Sequence, residues 1–482
     1  LLRRKNVKKV HLIAACGVGM GSLAGMLKEA GYEVTGSDGD VYPPMSDQLE
    51  RIGIRLMTPY RPENVPADAD FVVIGNTVPR TNVESAEAER RGLPLHSMPS
   101  ALEELFLADR EVLVVAGTHG KTTTTSMAAH ALFDLSDDPS FLVGGVPGNF
   151  PVSYRLGKGR RFVIEGDEYD TAWFDKGPKF LHYNPKQVIL TSVEFDHADI
   201  YRDLDHMKES FRKLVEIVPA EGLLVACADY PAAVEVAAGA KCPVVFYGRG
   251  ERPPSLPAAA PYRRVEVLPP EGTMTPFRIA GEGTEGDEEY RLPVPGGHNA
   301  ENGAAVALVL RALGFPAERI AAAFGRFRGV ARRQEELGEF HGVLVVDDFA
   351  HHPTAVRETI DAVRGRWPGR RVVAVFEPRS NTSRRKVFQE EFAQALSRAD
   401  EVVIAPVFAP EKVPAGELLD PEEVARRVRE RGKESHHLRS VEEIVGYLSG
   451  STGKGDLVLL MSNGGFGGMR TRLPAALGER KG

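Results

Sequence analysis

Between Val112 and Thr125, an apolar run, Val112-Leu113-Val114-Val115-Ala116, turns through Gly117-Thr118-His119-Gly120 into Lys121-Thr122-Thr123 and a helix-forming segment. Strand, tight glycine loop and helix start, in that order, aim backbone N–H groups and the positive end of a helix at a phosphate chain. Lys121 adds a point charge for the β- and γ-phosphates, and the Thr122 hydroxyl adds a ligand for Mg²⁺. The loop reads Gly117-x-x-Gly120-Lys121-Thr122, with Val115 where the full phosphate-loop pattern carries its first glycine. The expectation is a nucleoside triphosphate site walled by Gly117, Thr118, His119, Gly120, Lys121, Thr122 and Thr123.

Two acidic runs follow apolar strands. Phe162-Val163-Ile164 leads into Glu165-Gly166-Asp167-Glu168-Tyr169-Asp170, and Val188 to Val193 leads into Glu194-Phe195-Asp196-His197-Ala198-Asp199. In a parallel sheet both runs emerge at the carboxyl edge, beside the phosphate loop. Carboxylate oxygens and imidazole at such an edge suit a hard divalent ion. Either run alone could be a solvated turn. Two of them at one edge single out Glu165 and His197, with Thr122, as metal ligands. Further on, Asn299 and Asn302 lie on one helical face. This amide pair could read a purine edge, or Asn299 could simply cap its helix.

Near the start, Val10 to Ala15 reads as a strand running into Cys16-Gly17-Val18-Gly19-Met20-Gly21 and a helix. Ser22 stands where a dinucleotide fingerprint has its third glycine, and the strand from Glu33 ends at Ser37-Asp38, about 20 residues beyond the glycines. Phe71 to Ile74 ends in Gly75-Asn76 at the same edge. Gly17, Gly19, Gly21, Ser37, Asp38 and Asn76 therefore frame a second site, for NAD or for the diphosphate of another nucleotide.

The elements that must hold these residues are strands alternating with helical stretches, which excludes a barrel or a repeat array. With 482 residues, more than one core is required. The fold class is α/β in three domains: residues 1–109, Rossmann-like; 110–328, a central phosphate-loop unit with a parallel sheet; and 329–482, Rossmann-like again. Residues 248–295, rich in Pro, Gly and Glu, read as a small antiparallel excursion. A net charge of −7 gives no reason to expect nucleic acid or an anionic membrane as partner. No apolar run is long enough to span a bilayer. Three scattered cysteines provide neither a disulfide framework nor a zinc site, so a cytoplasmic location is expected. The oligomeric state is left open.

Gly117-Thr118-His119-Gly120-Lys121-Thr122, Glu165-Gly-Asp-Glu, Asp196-His197, His298-Asn299-x-x-Asn302, Arg332-Arg333 and Asp348-x-x-His351-His352-Pro353 together resemble the Mur ligase family, in the family's order and over nearly the whole chain. The resemblance implies an ATP-dependent ligase that joins a carboxylate to an amine through an acyl phosphate. It implies ATP and Mg²⁺ as cofactors, Lys121, Glu165 and His197 as the catalytic set, and Asn299, Asn302, Arg333 and Asp348 as further nucleotide contacts. It also implies that the first unit takes UDP-N-acetylmuramate rather than NAD. Residues 36–46, 165–172 and 461–468 look like those members that add a preformed cell-wall peptide, L-Ala-γ-D-Glu-meso-diaminopimelate; the L-alanine-adding members are the alternative, and an NAD-dependent oxidoreductase a more distant one. The peptide would lie against His351, Arg379, Asn381, Ser462 and Asn463, with Arg379 offering its planar fork to a carboxylate. Several family members use a carbamylated lysine, and the comparable region here, Glu209-Ser210-Phe211-Arg212-Lys213, does not assign one.

Overall fold

The computed structural model describes residues 8–41, 45–280 and 286–479, so residues 42–44 of the 36–46 stretch lie outside it. Three sheets follow one another along the chain. The first has five parallel strands in the order Leu56–Met57, Glu33–Ser37, Lys9–Ile13, Phe71–Ile74 and Leu95–Ser97. Chain order reverses between Lys9–Ile13 and Phe71–Ile74, and the crevice beyond such a reversal is where an open α/β sheet takes a ligand. Among the described residues no helix is long and apolar enough to cross a membrane.

The central sheet has ten strands, with Glu111–Ala116 between Arg161–Gly166 and Gln187–Leu190, all parallel. The phosphate loop therefore leaves the sheet flanked on both sides by the acidic runs. Two expected boundaries move. Glu165 is still in its strand, opposite Val115, and the strand from Gln187 ends at Leu190 rather than at Val193. The stretch 248–295 is no separate excursion. Tyr262–Val267 pairs in parallel with Val244–Gly248, and the antiparallel strands Thr275–Ile279 and Glu288–Leu292 extend the same sheet. The third sheet has six strands, parallel except for Glu335–Phe340, and its strand Val343–Asp348 is buried from end to end.

The units are joined in two different ways. One apolar cluster runs from Val10 and Leu23 of the first sheet through Leu102 and Phe106 to Val112, Ile164 and Phe211 of the central one. Within it Gly25 is required, because a Cβ there would lie 2.2 Å from the Tyr154 ring. The third unit has apolar clusters of its own. It meets the central unit mainly through polar contacts: His352 Nε2 with Phe195 O at 3.2 Å, Thr354 Oγ1 donating to Glu194 at 3.1 Å, and Asn381 Nδ2 donating to Asp199 at 2.6 Å.

The first unit carries a buried polar knot. The Glu84 carboxylate, wholly enclosed, accepts from Arg61 N at 3.0 Å, Asn64 Nδ2 at 2.6 Å and the Ser37 hydroxyl, and meets His11 Nε2 at 3.3 Å. Burial pushes its pKa up, but these donors outweigh burial and hold it below the usual carboxylate range. Glu84→Ala strands the donors and is expected to destabilise the protein by about 3 kcal/mol. Because the native pKa is lowered, this contribution is complete at neutral pH and fades as pH falls through it. Urea unfolding of parent and variant across acid pH checks both points; a gap that fails to narrow on acidification contradicts the assignment.

Candidate active site

Lys121 opens the helix Lys121–Asp134 directly after Gly120, whose φ of +79° favours glycine. A Cβ at Gly120 would also lie 2.7 Å from Asn302 Oδ1, so the loop and the helix Gly297–Ala312 touch without side-chain clearance. The Lys121 ammonium donates to Gly117 O at 2.6 Å and to both oxygens of Glu168, at 3.0 and 2.9 Å. Glu168 is buried and also meets His197 Nε2 at 2.8 Å. One carboxylate thus holds the phosphate-loop lysine and the expected metal-binding histidine together. Burial lowers the pKa of both cations, yet the Glu168 and neighbouring carboxylate charges more than offset this and leave both raised. His197 itself has φ +55°, its N–H donating to Asp196 Oδ1 at 2.7 Å and its ring 4.1 Å from that of Tyr169.

Glu165 lies next to this group. Its carboxylate accepts from Gly144 N at 2.6 Å and from the Thr122 hydroxyl at 3.2 Å, and burial raises its pKa. Two hard oxygen donors at the head of the phosphate loop fit a cation of the Mg²⁺ type. The third expected ligand does not stand with them, since the His197 imidazole is turned to Glu168 instead of Glu165. The sequence missed Glu168 as the organising residue, although it lies in the same acidic run.

Across the loop, Arg333 Nη2 donates to Thr122 Oγ1 at 3.4 Å, bringing the third unit onto the phosphate loop. Its neighbour Arg332 turns away, to Asp347 at 3.2 Å and to the carbonyls of Ser462 and Gly464. Arg333, Asp348, His119, Thr123, Asn299 and Asn302 line one cavity. Asp348 is fixed there by N–H donors from Gln334 and Ala350 at 2.9 and 2.7 Å. On the same wall, His298 Nδ1 and Gln334 Oε1 are buried without hydrogen-bond partners, which fits a polar ligand. Burial pushes His298 down to about 4, so it is neutral at pH 7. Asn299 does not cap its helix: it lies inside, its Nδ2 donating to Pro295 O at 2.7 Å. Gly117 and Thr118 are not brought to this cavity; Gly117 packs on Thr191, and the Thr118 hydroxyl bonds the backbone of Glu194 at 2.9 Å.

A second cavity, of about 400 Å³, lies at the crevice of the first sheet, walled by Gly17, Gly19, Asp38 and Asn76 together with Thr171 and Lys179 of the central unit. Asp38 Oδ2 accepts from Cys16 N at 2.8 Å and so shapes the turn. Ser37 and Gly21, expected in this crevice, are not on its wall: the Ser37 hydroxyl is spent on Glu84, and Gly21 packs on Met45 beneath the turn.

The expected peptide residues sit at strand ends of the third sheet without forming one pocket. The Arg379 guanidinium stacks 3.6 Å from the Phe408 ring centre, with Nη1 3.6 Å from Glu377. Asn381 bonds Asp199, Ser462 donates to Glu377, and Asn463 Oδ1 is buried without a partner. His351 Nδ1 lies 3.0 Å from Phe349 O, and its Nε2 3.9 Å from Asp196. The imidazoles of His197, His351 and His352 hold Asp196 far below the usual carboxylate range against the opposing effect of burial.

Three family models match in series: Mur ligase family catalytic domain over residues 9–110, Mur ligase middle domain over 115–310, and Mur ligase glutamate ligase domain over 332–464. The chain belongs to the Mur ligase family. It is 38% identical to UDP-N-acetylmuramate–L-alanyl-γ-D-glutamyl-meso-2,6-diaminoheptandioate ligase of Escherichia coli, over 98% of this chain and 99% of that one. It is also 38% identical to UDP-N-acetylmuramate–L-alanine ligase of Rubrobacter xylanophilus, over 86% of each. Among solved structures, a murein peptide ligase from Psychrobacter arcticus superposes with a TM-score of 0.72 at 33% identity, covering 98% of this chain and all of that one. Mur ligases are ATP-dependent enzymes that form amide bonds, and this chain is one of them. Membership in the family turns the glycine crevice of the first sheet away from an oxidoreductase reading.

Two outcomes test the geometry. Gly120→Ala places a side chain in the left-handed region, at about 1–2 kcal/mol, and against Asn302; calorimetry with a non-hydrolysable ATP analogue should show affinity reduced about tenfold or more. Glu168→Gln removes the charge that raises the His197 pKa, so the imidazole should titrate at lower pH, as read by NMR.

Proposed function

We propose that the chain joins the carboxylate of UDP-N-acetylmuramate to the amine of L-Ala-γ-D-Glu-meso-diaminopimelate at the expense of ATP. The observation that carries this reading is the convergence of the Lys121 loop, Thr122–Glu165 and the third unit's Arg333–Asp348 at one place. A carboxylate and an amine do not condense in water unaided. Attack of the muramyl carboxylate oxygen on the γ-phosphorus expels ADP and gives an acyl phosphate. The amine nitrogen then adds to the acyl carbon, and the tetrahedral adduct collapses with loss of phosphate and of the amine proton. Transfer of this kind depends mainly on placing the reactants and neutralising charge.

In this assignment Lys121 moves from Glu168 to the phosphates, and Arg333 secures them from the opposite side. Asn299, Asn302 and Asp348 hold the nucleoside. Thr122 and Glu165 would hold Mg²⁺, which neutralises phosphate charge when bound. The donor occupies the crevice at Gly17, Gly19, Asp38 and Asn76, and the peptide lies toward Arg379 and Asn463. In this reading residues 1–109 bind the donor, 110–328 bind ATP and 329–482 bind the acceptor. The tripeptide is preferred over L-alanine because a relative named for the tripeptide reaction is 38% identical over 98% of this chain, whereas the L-alanine ligases reach 38% over 86% or 36% over 95%.

Purified protein with ATP, Mg²⁺ and UDP-N-acetylmuramate should release ADP when given the tripeptide and far less when given L-alanine. The reverse ranking would transfer the assignment to the L-alanine reaction, and no release with any amine would end it. Lys121→Ala should lower kcat about a hundredfold or more, the size of effect seen when one aligned electrostatic group is lost.

A further inference from the structure

Lys179 stands on the wall of the glycine-turn cavity, and no role has been assigned to it above. It opens the 3₁₀ turn Lys179–His182, anchored by the fully buried Phe180. Its ammonium donates to Asp167 Oδ2 at 2.6 Å and lies 5.8 Å from the Tyr169 ring centre, while its side chain remains 17% exposed on the wall of the glycine-turn cavity. The other charged groups on that wall are Asp38 and Asp40, so among the described lining residues Lys179 is the one cation. A nucleotide sugar would bring two phosphates here, and N-acetylmuramate would add a lactyl carboxylate. Backbone N–H groups of the turn at Gly17 and Gly19 offer hydrogen bonds but no full charge to set against these and two aspartates.

Asp167 adds direction. It follows Glu165 by two residues on the acidic run, and it feels the charges of both Lys179 and Lys121. Only the Lys179 ammonium bonds this carboxylate, since Lys121 is held by Glu168.

Building on the donor assignment above, we propose that Lys179 is a donor-binding residue, its ammonium pairing with an anionic group of the nucleotide sugar in the cavity between the Gly17–Gly19 turn and Thr171. In the free protein Asp167 occupies that ammonium in the donor's place.

Isothermal titration of the full chain with UDP-N-acetylmuramate, and with UDP-N-acetylglucosamine, which lacks the lactyl carboxylate, tests this. Lys179→Ala should weaken donor binding about tenfold or more, and Lys179→Arg should recover most of it. Loss with both ligands assigns the contact to the diphosphate, and loss confined to the muramyl compound assigns it to the carboxylate; either supports the proposal. Asp167→Asn, which frees the ammonium, should bind donor at least as tightly as the parent, and affinity for an ATP analogue should hold in both variants. Unchanged donor affinity in Lys179→Ala would overturn the proposal. So would parallel loss of donor and ATP-analogue affinity in Lys179→Ala and Asp167→Asn, which would mark the pair as a structural tie. A parent protein that binds neither nucleotide sugar would instead overturn the donor assignment itself, and this proposal with it.

Discussion

The structure turns on one carboxylate with no access to water. Glu168 holds the Lys121 ammonium with both oxygens and His197 with one of them, so three groups that would each be costly to bury alone are buried as a set. The arrangement keeps the phosphate loop drawn down on the acidic strand end. It also means that the Lys121 charge is stored against an internal partner. In the reaction proposed above, a phosphate chain entering the loop competes with that partner, and the exchange of one anion for another requires no ammonium to stand exposed in an apolar setting.

Around this centre the sheet order does the placing. Because Glu111–Ala116 lies between the two strands that carry the acidic runs, loop, Glu165 and His197 reach the same edge without long connections. The first sheet is fastened to this assembly by a continuous apolar cluster, so the glycine crevice is held at a fixed position relative to the loop. The third unit is fastened by hydrogen bonds and by ion pairs such as that of Glu358 with Arg249, which also meets Glu301 within the central unit. Burial pushes Glu301 up to about 8, and Arg249 beside it pulls the other way. Contacts of this polar kind are typical of domains that move relative to one another.

Much of this was legible in the residues. The strand–loop–helix around Lys121, both acidic runs, the glycine turn before Asp38 and the three-unit α/β architecture all follow from apolar periodicity and from the residue types placed at strand ends. What escaped were side-chain directions where the backbone leaves its regular period. At φ +55°, His197 turns to Glu168 and away from Glu165, and no strand or helix spacing encodes that turn. Ser37 precedes Asp38 at the strand end, but a strand alternates faces, and the demand of buried Glu84 for donors claims its hydroxyl. Arg332 and Arg333 are adjacent and chemically equal, and only the left-handed conformation at Arg332 separates their destinations. The pattern in 248–295 encodes the antiparallel pairs, but the attachment of this stretch to the central sheet depends on long-range pairing that local pattern does not contain.

The unequal seams have a consequence for how such a chain can diversify. Where two parts share an interior, a change in one must be matched by packing changes in the other. Where they meet across water-compatible contacts, each side can be rewritten almost independently. The first two portions are therefore constrained as a block, whereas the last portion is free to change its strand-end residues away from Arg333 and Asp348 without repacking the interior upstream.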